Sequence, residues 1–106
     1  MIAVRFFSAD GGAVLTEFRV SGHTGVSGES VVCAAVSSAC YMAANTITDV
    51  LGVDARIRVK DGYMRVAASG DDLPKVQTVL RGLRLHLEQL AGQYPDQIQI
   101  TYTEVQ

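Results

Sequence analysis

From Val31 to Thr48 the chain carries no ionisable acid or base apart from Cys33, Cys40 and Tyr41, and it is dense in Val, Ala and Met. A helix apolar on nearly all sides must lie at the centre of a fold or be covered by a partner subunit. In a chain of only 106 residues, both are expected. Ser30 reads as its N-cap, so Val31, Val32 and Cys33 take the first three helical positions. The helix should run to about Leu51, with Gly52 as its left-handed stop.

The remaining pattern gives strands on either side. Residues 2–8 and 13–21 form a hairpin about the turn Asp10-Gly11-Gly12, with Val14, Phe18 and Val20 on one side and Glu17, Arg19 and Ser21 on the other. Residues 22–29 are a Gly/Ser loop without apolar periodicity. Residues 53–59 alternate strictly, and Asp61-Gly62 makes a two-residue turn that sets Lys60 opposite Tyr63, Val59 opposite Met64 and Ile57 opposite Val66. Asp71-Asp72-Leu73-Pro74 opens a second helix, with Val76, Val79, Leu80, Leu83, Leu87 and Leu90 at helical spacing and Gly92 and Pro95 ending it. Residues 97–103 close as a strand. The order ββαββαβ implies an α+β fold of two layers, an antiparallel or mixed sheet with two helices on one face. Residues 1–106 fit a single domain.

Composition narrows the function classes. The formal net charge is −2 and the pI about 5.5. Arg56, Arg58, Lys60 and Arg65 on one hairpin, and Arg81 and Arg84 on the second helix, read as scattered solvated charges, so no direct contact with nucleic acid is expected. Neither a secretory leader nor a membrane-spanning run is expected. Cys33 and Cys40 lie about 10 Å apart along one helix, too far for a disulfide. A reducing cytoplasm is the expected location, and no metal or cofactor is expected.

The chemistry concentrates on Cys33. A thiol in the first turn meets unpaired backbone N–H groups and the positive end of the helix dipole, both of which favour the thiolate. The other reading is a small buried core residue; a partly exposed site is expected. His23 precedes it by ten residues, between Gly22 and Gly25, in a loop able to bring an imidazole to the sulfur. His86 is the other histidine and belongs to the second helix. Glu29 is the nearest acid, able to orient His23 or simply to favour the helix start. Ser37 sits one turn beyond Cys33, as packing or as a polar group in the same pocket. Cys40 is expected in the core. Loop 24–29 is expected to move when a substrate binds.

Ser21-Gly22-His23 followed by Val32-Cys33-Ala34-Ala35-Val36-Ser37 resembles the signature of the ribosomal-processing cysteine protease family, Prp. The resemblance continues through Val50-Leu51-Gly52, Asp61-Gly62-Tyr63 and Tyr94-Pro95, and so covers essentially the whole chain. It implies a small cytoplasmic homodimer that removes a short N-terminal extension from a large-subunit ribosomal protein, whose precursor N-terminal peptide is the partner. It implies that His23 and Cys33 are the catalytic pair, with Gly22 and Ser37 matching family positions beside them. The family usually carries an Asp three residues before the Cys, where this chain has Ser30, and a longer loop between His and Cys. Ser30 can cap the helix but brings no charge to orient His23; either Glu29 substitutes, or the pair is weaker, or the substrate sequence differs. A non-catalytic ribosome-assembly or protein-binding module is the alternative.

Overall fold

The computed structural model describes residues 1–22 and 31–105. His23, Glu29, Ser30 and loop 24–29 lie outside the described residues, and with them the expected N-cap. The strands and helices follow the expected order: β1 (Ile2–Ala9), β2 (Val14–Ser21), α1 (Val31–Asn45), β3 (Arg56–Lys60), β4 (Tyr63–Ala67), α2 (Leu73–Gln93) and β5 (Ile98–Glu104). The sheet runs β3-β4-β2-β1-β5. Neighbours are antiparallel except β1 and β5, which are parallel. The fold is thus α+β with a mixed sheet.

The mixture follows from the connections. α2 carries the chain from β4 to β5, and a helical crossover delivers the next strand parallel to the one it left. β4 is antiparallel to β2 and therefore parallel to β1, beside which β5 arrives. α1 makes the second crossover, from β2 to β3. Right-handed crossovers from oppositely directed strands, moving towards opposite edges, fall on one face. Both helices accordingly share a core with that face: Phe18, Val36, Ala43, Val76 and Leu87 are fully buried together.

Several local details depart from the sequence pattern, each for a physical reason. The β1–β2 register shifts between Phe7 and Ser8, so Ser8 pairs with Leu15 while Phe7 pairs with Glu17. The extra residue turns Leu15 into the core in place of Val14, which is half-buried. The first helix does not stay α-helical to its end: Thr46–Val50 widen into a π-turn, and Leu51 N–H donates to Thr46 O at 2.8 Å. There the hydroxyls of Thr46 and Thr48 donate to the carbonyls of Met42 and Ala44, competing with the backbone N–H groups for those acceptors. Gly52 is left-handed, as expected, at φ +66°. β3 starts at Arg56 rather than 53, because Val53 N–H is tied to Ile47 O at the helix end. α2 passes through Gly92 to Gln93.

The segment Val31–Val50, at 20 residues and mean hydropathy 1.4, is long and apolar enough by those measures to cross a membrane, contrary to the sequence expectation. Its apolarity has another use here, since Val32, Val36, Cys40, Ala43 and Ile47 bury one stripe of it in the core.

The face of the sheet away from the helices has a different character. Register places Arg58, Arg65, Arg19 and Arg5 directly opposite one another on β3, β4, β2 and β1, with Thr101 next on β5. The cations are therefore gathered rather than scattered. Glu17 Oε2 accepts hydrogen bonds from Arg19 at 2.5 Å and Arg65 at 2.7 Å. Burial pushes its carboxyl up, but the Arg65 and Arg19 hydrogen bonds and charges outweigh this and hold it below the ordinary value of 4.5. Glu17 should therefore stabilise the fold fully above 4.5, and the contribution should fade as pH falls through the lower folded value. Glu17→Gln is expected to cost about 1 kcal/mol at neutral pH, a figure kept small because both arginines are partly solvated. Thermal melts should show the gap to wild type closing in acid. A gap that persists undiminished there would contradict the pairing.

Candidate active site

Cys33 is the third residue of α1, as the sequence implies. Its burial is the correction: it is 7% exposed, not partly open. The reason is the face on which it falls. Cys33, Val36, Cys40, Ala44 and Ile47 recur at three- and four-residue steps and form the stripe that meets the sheet and α2. Val31, Ala34, Ser38, Tyr41 and Met42 take the outer side. A helix apolar all round gives no sequence signal for which side turns in.

Cys40 lies two turns on, 1% exposed, and burial pushes its thiol up to about 12. It is a core residue, as expected. Neither cysteine is in a disulfide. Ser37 is half-buried between them and lines a cleft of about 200 Å³ between α1 and the β3–β4 turn. Val20, Cys40, Tyr41 and residues 60–64 complete its walls. Sequence reasoning missed Tyr41 and the hairpin tip as neighbours of Ser37; the Asp61-Gly62 turn was a signal of local structure only.

Gly22 follows β2 at the same end of the sheet, since its neighbour Ser21 pairs with Tyr63, which lines the cleft. Its φ is +82°, and a Cβ there would stand 2.4 Å from the carbonyl oxygen of Met1. Glycine is required twice over, by the left-handed backbone and by the close approach of the Met1 carbonyl. Gly22→Ala is expected to lower stability by more than about 1 kcal/mol, and the residue next in the chain is His23. A chemical denaturation midpoint equal to wild type would contradict this reading.

His23, Glu29 and Ser30 fall outside the described residues. His86 is exposed on the outer side of α2, where Leu83 and Leu87 turn inward. Among the described residues, no group of three or more His, Cys, Asp or Glu could hold a metal ion.

The family model described as cysteine protease Prp matches residues 1–99. The fold superposes on an essential ribosomal processing protease Prp from Staphylococcus aureus in complex with a substrate peptide, with a TM-score of 0.86 at 21% identity, covering 97% of this chain and 100% of that one. The same protease with a covalently linked product peptide gives 0.85 at 22% identity, with 97% and 100% covered. A protein of Streptococcus mutans gives 0.84 at 25% identity, with 99% of each chain covered. No curated protein matches significantly.

Proposed function

Because this chain belongs to the cysteine protease Prp family, as the match over residues 1–99 establishes, we propose that it removes a short N-terminal extension from a large-subunit ribosomal protein, with Cys33 as nucleophile and His23 as its base. The observation that carries the reading is the station of Cys33 in the first turn of α1 of a Prp-family chain. Backbone N–H groups and the dipole favour a thiolate there.

The thiolate attacks the scissile carbonyl carbon, and helix-start N–H groups hold the oxyanion. Imidazolium His23 protonates the departing amine as the C–N bond breaks, leaving a thioester on Cys33. Neutral His23 then takes a proton from water, whose oxygen displaces the thiolate and releases the acid. The Staphylococcus aureus protease has been captured with a covalently linked product peptide, which is in keeping with a thioester route in that protein. Gly22 sets the end of β2 before His23, and Glu29 orients the imidazole in place of the family Asp. Substrate entry requires local opening at the start of α1, since Cys33 is covered. An extended precursor peptide would lie along the cleft beside Ser37.

The chain acts as a homodimer in the cytoplasm. Val31, Tyr41 and Met42 leave the outer side of α1 apolar and exposed, at 77%, 48% and 62%, the kind of face a second copy covers. Unbridged Cys33 and Cys40 suit a reducing compartment.

The burial of Cys33 is the one observation favouring a second reading, a non-catalytic ribosome-assembly or peptide-binding module. Incubation with a synthetic peptide of the host ribosomal protein's N-terminus, read by mass spectrometry, separates the two. Scission at one bond is expected. A peptide that binds and stays intact would replace the protease reading with the binding one.

A further inference from the structure

We propose that the open face of the sheet is a docking surface for single-stranded RNA, gripped through its phosphates by the cross-strand arginine row. Six of the chain's nine lysines and arginines project from this face. Arg58, Arg65, Arg19 and Arg5 form the row; Lys60 and Arg56 flank it on β3. Adjacent strands lie about 4.8 Å apart, so four guanidinium stems fall within about 15 Å. Like charges set directly opposite one another destabilise a sheet. Among the described residues Glu17 is the one acidic strand residue on this face, and its salt bridges are to the two central arginines. Among the described residues Arg5 and Arg58, at the two ends, join no salt bridge. A chain of net charge −2 thus keeps a cationic row that Glu17 compensates only at its centre. Polyanion binding gives that arrangement a use, and guanidinium forks match phosphate oxygens.

The shape favours RNA over an acidic peptide. Two shallow depressions lie side by side on this face, of about 390 and 460 Å³, and share Arg19 and Tyr63. The first is walled by Ser21, Gln99 and Thr101, neutral donors and acceptors suited to ribose 2′-hydroxyls and base edges. Half-buried Tyr63 stands between the two as a platform for a base. The second is lined, among the described residues, by four cations and Tyr63, with no aliphatic wall to anchor a peptide side chain. The choice of RNA over DNA rests on the ribosomal reading above. The binding assay contains no proteolytic step, so either proposal can fail while the other holds.

The test is fluorescence anisotropy with a labelled single-stranded RNA of about 12 nucleotides. Wild type is expected to bind, with affinity falling steeply as salt rises from about 50 to 200 mM. Arg5→Glu/Arg58→Glu should weaken binding by about tenfold or more, and Arg5→Gln/Arg58→Gln by less, each with a shallower salt slope. Lys75→Glu/Arg84→Glu on α2 makes the same change in net charge and should weaken binding by less than about twofold. Glu17→Gln should bind more tightly while melting earlier, two directions that a purely structural role does not join. Failure of wild type to bind at the lower salt, or equal losses from the two reversal variants, would overturn the proposal. So would polyglutamate or single-stranded DNA binding as tightly as RNA in the same buffer.

Discussion

Cys33→Ala is expected to reduce precursor cleavage by at least about 10³-fold while leaving a folded protein. The size of the effect follows from its role: without the sulfur no thioester forms, and water attacking the amide directly is a far weaker nucleophile than a thiolate. The choice of alanine follows from burial. At 7% exposure the site tolerates a small apolar side chain at about 1 kcal/mol, whereas Cys33→Ser buries a hydroxyl that must find a partner there. Circular dichroism and melting should therefore separate the two variants even though both lose cleavage. Wild-type cleavage by a folded Cys33→Ala protein would remove Cys33 from the mechanism.

His23→Ala is expected to slow cleavage by about 10²–10⁴-fold, the usual contribution of a positioned acid–base group. Peptide binding should change far less, so the loss falls on kcat. The pH profile carries the more specific signature. A thiolate–imidazolium pair gives a bell-shaped rate, and removal of the imidazole should erase its alkaline limb. An unchanged profile in His23→Ala would assign the base elsewhere. His86, exposed on α2, would be the next histidine to substitute.

What could be read in advance depended on how local the determining contacts are. The β3–β4 register was legible because the Asp61-Gly62 turn alone sets it, and the pairs Lys60–Tyr63, Val59–Met64 and Ile57–Val66 are all present. The helix beginning at Val31 and ending before Gly52 was legible from apolar density and a stop signal. Its inward face was not, because an all-apolar helix has no polar side to subtract, and Cys33 was therefore placed correctly along the helix but not in depth. The bulge that exchanges Leu15 for Val14 depends on pairing with β1 and leaves no mark in the alternation of β2 itself. The arginine row was the least legible feature. Arg5, Arg19, Arg58 and Arg65 lie far apart in the chain, and only the pairing of β1 with β2, β2 with β4 and β4 with β3 sets them side by side. Read along the sequence, the same residues look like scattered solvation.

Activation of Cys33 is tested most directly by site-resolved alkylation. The folded protein is treated with iodoacetamide near neutral pH, and the two cysteines are followed by peptide mass spectrometry. Cys40, fully buried and with its thiol pushed up to about 12 by that burial, stays protonated at pH 7 and serves as the inert internal reference. Cys33 should be modified at least about 100-fold faster than Cys40, and cleavage should disappear in step with its modification. Equal rates at the two sulfurs, or full cleavage after Cys33 is blocked, would contradict a thiolate nucleophile at the head of α1.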